Sequence, residues 1–446
     1  MLPIRSFSPA DPLFLAILDR GADLEADIGG RAAEIVGIVR RRGGPGLLEC
    51  VRRFDADLPD LDSLRVSGDE IAAARGRADR EFMDSVARAG ENIGRFHARQ
   101  LRRGYVHDDG DGVILARRVL PLARVGIYCP AGTAPLFSSL LMNAIPARLA
   151  GVPEIAAAIP PRPDGSVSPR LLAVADWLGL TEIYRMGGAH AIAALAYGAG
   201  PVRRVDKITG PGNAYVAAAK RLVFGTVGVD FPAGPSELVI LADSGANPDF
   251  VAADLLSQVE HGSGREAGVV LTDSVELAKA AAAAAERRLD GLARAGAARL
   301  ALSRYGAIFV AESIEQALDA SNLLAPEHLE IMTREPRKLL GGVLNAGAVF
   351  LGPWSSEPVG DYFAGGNHVL PTCGAARFSS GLGVADFQKE MTVMEYSRER
   401  LSRTRTDIVR LAEAEGLTAH AEAIKARFAA PPEPEPEPES LPGADF

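Results

Sequence analysis

Residues 154–198, EIAAAIPPRPDGSVSPRLLAVADWLGLTEIYRMGGAHAIAALAYG, carry the clearest fold signal in the chain. Two short runs, EIAAAI and EIYRM, have the length and composition of buried strands. Each precedes a longer alanine- and leucine-rich run, LLAVADWLGL or HAIAALAYG, that is typical of a helix. Strands that alternate with helices through short glycine-containing connections indicate an α/β fold with a parallel sheet.

The same alternation extends in both directions. Residues 113–129 predict strands, and residues 136–149 predict a helix that Pro146 would bend or restart. Downstream, KITGPGNAYVAAAKRLVFG predicts a strand, a narrow turn at 210–212 and a helix. Asn213 is either the N-cap of that helix or a polar side chain that projects from the turn. Such turns place backbone N–H groups at a helix N-terminus, which suits anions. The dinucleotide fingerprint G-x-G-x-x-G is nevertheless incomplete at these turns.

A second α/β run follows, so we expect two Rossmann-like layered domains flanked by helical segments. Residues 1–112 predict an N-terminal helical region, because alanine, arginine and glutamate dominate there with apolar residues at helical spacing. The two α/β domains are expected over 113–237 and 238–390, and a C-terminal helical segment over 391–430. Residues 431–446 alternate proline and glutamate and are expected to be disordered, since they cannot bury apolar surface.

Composition excludes several classes of protein. A chain of 446 residues with 47% hydrophobic and 24% charged residues is typical of a multidomain globular protein. The net charge of -9, without a basic stripe, argues against nucleic-acid binding. We find neither a bilayer-spanning apolar segment nor a signal peptide. The three cysteines form no C-x-x-C pair, so a reducing, cytoplasmic location is expected rather than disulfides or a thiolate zinc site.

Residues 254–262, DLLSQVEHG, offer a candidate metal site. They predict the end of an amphipathic helix, which Gly262 would terminate. Gln258 and His261 are three residues apart and would be neighbours on one helix face. An amide oxygen beside an imidazole nitrogen can bind a divalent metal. A solvated polar face has the same pattern, so the two residues alone leave both interpretations open.

Other residues with catalytic chemistry follow downstream. Glu327 and His328 are adjacent at a predicted helix-to-strand junction, where one group could activate water while the other shuttles protons near neutral pH. An adjacent Glu–His pair also occurs by chance in many chains. The polar, glycine-rich stretch around Asp361 and His368 packs poorly by composition, which hints at a site. His420 lies in an alanine-rich helical region, where a lone histidine is by default a surface residue.

Eight segments of the chain, in their order and spacing, resemble the histidinol dehydrogenase family. They are GIYCPAGTAPLFSSLLMNAIPARLAG, GGAHAIAALAYG, DKITGPGNAYVAAAKR, FPAGPSELVILAD, DLLSQVEHG, APEHLEIMT, GDYFAGGNHVLPT and LTAH. Together they cover nearly the whole chain, from about residue 30 to about residue 428. Eight ordered blocks are far more specific than any one of them.

The resemblance implies Zn2+ and NAD as cofactors and a role for each candidate residue. The zinc ligands would be Gln258, His261, Asp361 and His420. The catalytic acid/base pair would be Glu327 and His328. The substrate would contact the zinc ligands, His328 and three further residues, Ser236, His368 and Glu415. The cofactor would contact Tyr128, His190 and Asn213.

The resemblance also implies the reaction and the assembly. L-histidinol would be oxidised through L-histidinal to L-histidine with two NAD+, as the last steps of histidine biosynthesis. The first α/β domain would hold the cofactor, and the second would hold the metal and the acid/base pair. The protein would be an obligate homodimer, in which residues 391–430 are the dimerisation segment and bring Glu415 and His420 to the partner's site. The family usually has glutamine where this chain has His190, and imidazole lacks the paired donor and acceptor of an amide.

Three other functions stay open at this point. A paralogue of the family that oxidises another polar alcohol would keep the zinc and Glu–His groups, although Glu415 and His368 both match histidinol. A zinc hydrolase would use Glu327 as the base on a metal-bound water, but the chain has no H-E-x-x-H helix. An inactive scaffold is disfavoured by the complete set of ionisable site residues. Cofactor reduction on addition of substrate would separate the dehydrogenases from the hydrolase.

Overall fold

The computed structural model describes residues 2–20, 26–131, 135–231, 234–261 and 263–429. The chain divides into two compact units. The first comprises Met1–Gln100 and Leu122–Phe387, and the second comprises Leu101–Pro121 and Gln388–Phe446. The helix expected to run to Gly262 ends earlier, at Val259. The disorder expected over 431–446 lies outside the described residues.

Strands and helices are numbered in chain order within these residues. The strands, β1 to β14, are Ile4–Ser6, Tyr105–Asp108, Val113–Pro121, Arg124–Tyr128, Glu154–Ile159, Glu182–Arg185, Lys207–Thr209, Gly228–Val229, Glu237–Ala242, Ala267–Thr272, Gly306–Val310, His328–Met332, Ala348–Leu351 and Gln388–Tyr396. The helices, α1 to α16, are Pro12–Leu18, Ala26–Phe54, Gly68–Gly76, Arg80–His97, Phe137–Leu149, Pro169–Trp177, Gly188–Tyr197, Ala214–Val223, Pro248–Val259, Val275–Leu289, Ala295–Tyr305, Ile314–Leu324, Pro336–Leu339, Glu357–Tyr362, Arg398–Ala414 and Thr418–Ala426.

Two parallel sheets form the framework of the first unit. The five-stranded sheet has the order β6-β5-β4-β7-β8, and the six-stranded sheet has the order β1-β11-β10-β9-β12-β13. Apart from the edge strand β1, the second order repeats the first, because β4 lies beside β7 as β9 lies beside β12. The described pairings in both sheets are parallel. The expected α/β fold with parallel sheets is therefore confirmed.

The central strands are continuous apolar runs because helices cover both faces of a parallel sheet. Every residue of β4, β9, β10 and β12 is buried. Polar residues within these runs, such as Glu237 at the start of β9 and His328 at the start of β12, therefore stand out. The core strands thus bring these two side chains to the same edge of the six-stranded sheet.

The helix expected over 136–149 passes Pro146 without interruption. Pro146 has no N–H to donate to the carbonyl of Met142 one turn earlier. The side-chain amide of Asn367 donates to that carbonyl instead, at 2.7 Å. The restart expected as one alternative is therefore wrong, since a residue distant in sequence satisfies the acceptor that the proline leaves open.

Strands replace helix in both terminal regions. Ile4–Ser6 forms β1, in which Ile4 lies opposite Ile308 of β11. In the second unit, β2, β3 and β14 form an antiparallel sheet of order β14-β3-β2. The helix expected from residue 391 is wrong up to Tyr396, because β14 pairs along its whole length with β3. The residues of β1, β2 and β14 are mostly exposed, so they carry no apolar alternation that would identify a strand.

Helix follows β14 as expected, in α15 and α16. The hydroxyl of Ser397 caps α15 by accepting from the N–H of Arg400 at 3.2 Å. Across the described part of the chain, every helix is too short or too polar to cross a membrane.

Candidate active site

The larger of the two cavities described below lies at the carboxyl ends of the strands in the five-stranded sheet. Its volume is about 730 Å³. Residues that closely follow β4 to β7 line it, namely Pro130, Pro160, Gly187 and Asn213. Ligands of open α/β sheets bind at this edge where the strand order reverses, here between β4 and β7. The three residues assigned to the cofactor, Tyr128, His190 and Asn213, all line this cavity.

At this cavity, side chains of the protein accept hydrogen bonds from the first backbone N–H groups of α7. The Asp55 carboxylate accepts from the N–H of Gly187 at 2.8 Å and from His190 Nε2 at 2.7 Å. The Tyr128 hydroxyl accepts from the N–H of Gly188 at 3.2 Å. The anion position expected at this turn is thus filled by a carboxylate of the chain itself. This arrangement explains physically why the turn needs no complete dinucleotide fingerprint.

Asn213 caps α8 and lines the same cavity. Its Oδ1 accepts from the N–H groups of Tyr215 at 3.0 Å and Val216 at 3.1 Å. The N-cap interpretation is therefore confirmed. The side chain is also exposed, so its amide Nδ2 can still donate to a bound molecule.

The turn at 210–212 separates the larger cavity from a smaller one. Pro211 and Gly212 line the smaller cavity, while Asn213 lines the larger. Gly210 has a φ of 111°, and a Cβ there would lie 2.0 Å from the carbonyl oxygen of Tyr128, so glycine is required. The buried Asp230 accepts from the N–H of Gly210 at 2.8 Å. The turn is thus held rigidly between the two cavities.

The smaller cavity, of about 170 Å³, lies at the amino ends of β9 and β12. Three residues assigned to catalysis or substrate line it, Ser236, Glu327 and His368. Ser236 directly precedes β9, and its carbonyl accepts from the N–H of Ala267 at 3.1 Å. The hydroxyl is the side-chain group that Ser236 offers to a ligand in this cavity.

The first residue of β9, Glu237, holds both members of the Glu327–His328 pair through its backbone. Its N–H donates to Glu327 Oε2 at 3.0 Å, and its carbonyl accepts from His328 Nδ1 at 3.2 Å. Because a carbonyl only accepts, His328 carries its proton on Nδ1 and its Nε2 has a free lone pair. Burial lowers the pKa of His328 to about 3, so the ring is neutral at pH 7.

Glu327 is buried, with 6% of its surface exposed. Burial raises its pKa well above the usual range, and the nearby Glu237 carboxylate raises it further. A carboxylate with a raised pKa is a stronger base than an exposed one. The adjacent pair therefore combines a neutral imidazole with a carboxyl group whose proton affinity is unusually high.

A cluster of metal-ligating groups lies beside this pair. The ligand atoms of His261, Glu357 and Asp361 lie within 4.8 Å of one another. The helix that precedes them ends at Val259, so His261 lies in a turn and not on the helix face predicted from the sequence. Its Nδ1 lies 2.8 Å from the carbonyl of Gln258, to which it donates, leaving Nε2 free.

Gln258 provides the test of whether a metal fits this cluster. Its side chain is completely buried, yet Oε1 has no hydrogen-bond partner among the described residues. An unpaired buried amide oxygen is costly, so a ligand for it is expected. A cation fits both this oxygen and the neighbouring imidazole and carboxylates.

His368 lies between the cluster and the smaller cavity. Its Nδ1 donates to the carbonyl of Asp361 at 3.0 Å and lies 3.7 Å from that residue's carboxylate. Burial lowers the pKa of His368 to about 4. The neutral ring therefore has Nε2 available for a polar ligand in the cavity.

Glu357 is a further potential metal ligand that the sequence patterns did not reveal. It lies one helical turn before Asp361 in α14, and its own N–H donates to Glu330 Oε1 at 2.7 Å. Burial and the Asp361 charge raise the pKa of Glu357 to about 8. The available signal was the four-residue spacing of the two acids, which places them on one helix face.

A family model described as histidinol dehydrogenase matches residues 18–428. The chain belongs to the histidinol dehydrogenase family. It is 52% identical over 394 residues to histidinol dehydrogenase of Geobacillus kaustophilus (strain HTA426), covering 88% of this chain and 92% of that protein. It is 45% identical over 427 residues to that of Bacillus subtilis (strain 168), covering 96% and 99%. The crystal structure of histidinol dehydrogenase from Elizabethkingia anophelis matches with a TM-score of 0.88 and 36% identity, covering 96% of this chain and 98% of that one.

Two residues assigned by the resemblance to histidinol dehydrogenase belong to the second unit. Glu415 is the C-cap of α15, and His420 lies in α16. Both side chains are exposed. The first unit therefore contributes ten of the twelve assigned residues, of which Gln258, His261 and Asp361 are the ligand candidates.

Proposed function

We propose that this member of the histidinol dehydrogenase family oxidises L-histidinol through L-histidinal to L-histidine and reduces two NAD+. The observation that carries the proposal is the position of the Glu327–His328 pair. Glu327 lines the smaller cavity, and a metal-ligating cluster lies beside the pair. One rigid turn separates that cavity from the larger one at the edge where α/β sheets bind cofactors.

Zinc is the metal that we propose for the cluster, with Gln258, His261 and Asp361 as ligands and the partner's His420 completing the set. When bound, it supplies a positive centre that orients the polar atoms of the substrate. Glu357 is a further carboxylate within reach of the same position. The orphaned oxygen of Gln258 supports the assignment independently of the family.

His328 is the proposed base for each alcohol oxidation. Its Nδ1–H is fixed on the Glu237 carbonyl, so the lone pair of Nε2 can accept the substrate's hydroxyl proton. The nicotinamide, when bound, accepts the hydride. Glu327 lines the cavity and, with its raised pKa, is the proposed base for the water that hydrates the aldehyde before the second oxidation.

NAD is proposed to bind in the larger cavity, against Tyr128, His190 and Asn213. The two sheets would then correspond to two Rossmann-like domains with incomplete fingerprints, one for the cofactor and one for the metal and acid/base pair. Ser236 and His368 are proposed to hold the substrate from within the same chain. Glu415 and His420 are proposed to reach the site from the partner of a homodimer, through the helical segment that contains both.

The test is NADH formation from L-histidinol, followed by absorbance, before and after treatment with a chelator and after zinc is restored. We expect NADH that disappears with the chelator and returns with zinc. NADH from another polar alcohol but none from histidinol would indicate a paralogue. Absence of NADH from every alcohol would contradict the dehydrogenase and favour the zinc hydrolase.

A further inference from the structure

A buried ion pair lies directly behind the catalytic pair. Arg20 Nη2 and Glu237 Oε2 are 2.8 Å apart, and neither side chain is more than 4% exposed. The guanidinium also donates to the carbonyls of Ile17 and Pro235, at 3.3 Å each. Arg20 follows α1, far from Glu237 in sequence, so the pair links the N-terminal segment to the start of β9.

Glu237 uses all of its polar groups. One carboxylate oxygen accepts from Arg20, and the other accepts from the N–H of Cys373. Its N–H and carbonyl hold Glu327 and His328. The side chain therefore fixes the position of the backbone groups that orient the two proposed catalytic residues.

Stability alone does not account for such a pair. The desolvation of two charges offsets most of their attraction, and buried ion pairs are often replaceable by apolar residues without loss of stability. Their best-attested role is to select one arrangement among several. A one-residue shift in this part of β9 would move both hydrogen bonds away from the acid/base pair.

We propose that the Arg20–Glu237 ion pair is a positioning device, which fixes the backbone of Glu237 so that His328 keeps its proton on Nδ1 and Glu327 faces the smaller cavity. This inference rests on the proposed function, because it assigns roles to Glu327 and His328 that the reaction requires. Arg20 and Glu237 act through these two residues and line neither cavity.

Several charges face Glu327 and decide how the device affects its ionisation. The carboxylates of Glu237, Asp361 and Glu357 all raise the pKa of Glu327, and Glu237 is the strongest of the three. Arg20 lies close enough to interact favourably with it. The imidazoles of His328 and His368 are neutral at pH 7. Removal of the Glu237 charge should therefore lower the pKa of Glu327.

The test compares the zinc-loaded wild type with Glu237→Gln, Arg20→Met and Arg20→Lys. We expect Glu237→Gln and Arg20→Met to lower kcat for histidinol roughly 100-fold, the cost of a small misplacement of catalytic groups, while KM for NAD and zinc content stay unchanged. Arg20→Lys keeps the charge and should recover most of the rate. The limb of the kcat profile that rises with pH should move to lower pH in Glu237→Gln.

Matched controls come from the buried arginine of the five-stranded sheet. Arg124 pairs with Glu154 at 2.6 Å and with Glu182, and it lines neither cavity. Arg124→Met and Glu182→Gln therefore report the cost of breaking a buried pair away from the site. Equal losses of kcat in these controls, or an unshifted pH limb in Glu237→Gln, would overturn the positioning role.

A second measurement does not depend on turnover. Nitrogen NMR of protein labelled only at its seven histidines gives the tautomer of His328, assigned with a His328→Asn variant. We expect the Nδ1–H form in the wild type and a mixture in Arg20→Met. A pure Nδ1–H form in both would overturn the inference even if the enzyme were inactive. Failure of wild-type NADH formation, in contrast, would remove the proposed function and leave the NMR result standing.

Discussion

The two parallel sheets share a strand order but offer opposite ends of their strands to the site. The five-stranded sheet presents its carboxyl ends, where the N-termini of α7 and α8 line the larger cavity. The six-stranded sheet presents the amino ends of β9 and β12, beside the C-terminus of α9. Helix N-termini carry partial positive charge and helix C-termini carry partial negative charge. The second edge thus suits a cation, whereas at the first edge the Asp55 carboxylate already accepts from the N–H of Gly187 at the start of α7.

The two edges also differ in the polar groups that the chain leaves available to a ligand. At the carboxyl edge, Asp55 and Asn213 already satisfy helix N–H donors, so little backbone is left for a ligand. At the amino edge, the backbone of Glu237 orients two catalytic candidates, and the buried oxygen of Gln258 is left without a partner. Chemistry is therefore expected at the amino edge and cofactor positioning at the carboxyl edge.

The largest effect is expected at the amino edge, from His328→Asn. The variant removes the proposed base and leaves the metal-ligating cluster intact, so kcat should fall roughly 100- to 10,000-fold while zinc stays bound. Steady-state kinetics and metal analysis on the same sample measure both. A near wild-type rate would remove His328 from the base role.

The next effect concerns how many chains make up one site. His420→Asn should lower zinc occupancy and activity, because a proposed ligand is lost. Mixing this variant with Glu327→Gln, by refolding or co-expression, should restore activity, since one site of a mixed dimer would be intact. Each homodimer alone is the control. Failure of the mixture, with mixed dimers shown to be present, would place His420 in the same chain's site or outside it.

A smaller effect is expected at the carboxyl edge, from Gly210→Ala. The φ of 111° and the contact with Tyr128 should destabilise the protein by about 1–3 kcal/mol from backbone strain, with an added steric cost, and raise KM for NAD. Gly225→Ala is the matched control, because its φ is 89° but a Cβ would meet nothing within 4 Å. Thermal unfolding and KM compare the two. Equal behaviour would show that the turn needs only its φ.

The smallest effect is expected from His190→Gln, which introduces the residue that the family resemblance implies at this position. An amide can still donate to Asp55, so KM for NAD should change less than about 10-fold, with kcat and zinc content unchanged. Substrate-saturated kinetics with varied NAD measure this. A large fall in kcat would mean that the carboxyl edge takes part in chemistry and would weaken the contrast between the two edges.

Local sequence patterns predicted the buried strands and helices, but they did not predict features that depend on contacts between distant segments. Buried strands and helices of the first unit follow from apolar runs and were found, whereas β1 and β14 are exposed strands that exist only because β11 and β3 pair with them. Motif resemblance found twelve site candidates. It did not find Asp55 or the Arg20–Glu237 pair, because their partners lie in other segments and no local pattern marks a buried hydrogen bond. It also did not find Glu357, although the four-residue spacing from Asp361 was a local signal.

The most direct test of the account is the ratio of NADH formed to L-histidinol consumed, with limiting histidinol and zinc-loaded protein. Two bases at one edge and a cofactor at the other predict two NADH per histidinol, with L-histidine as the product and no released aldehyde. One NADH per histidinol with free aldehyde, or none at all, would contradict the proposed division of work between the two sheets.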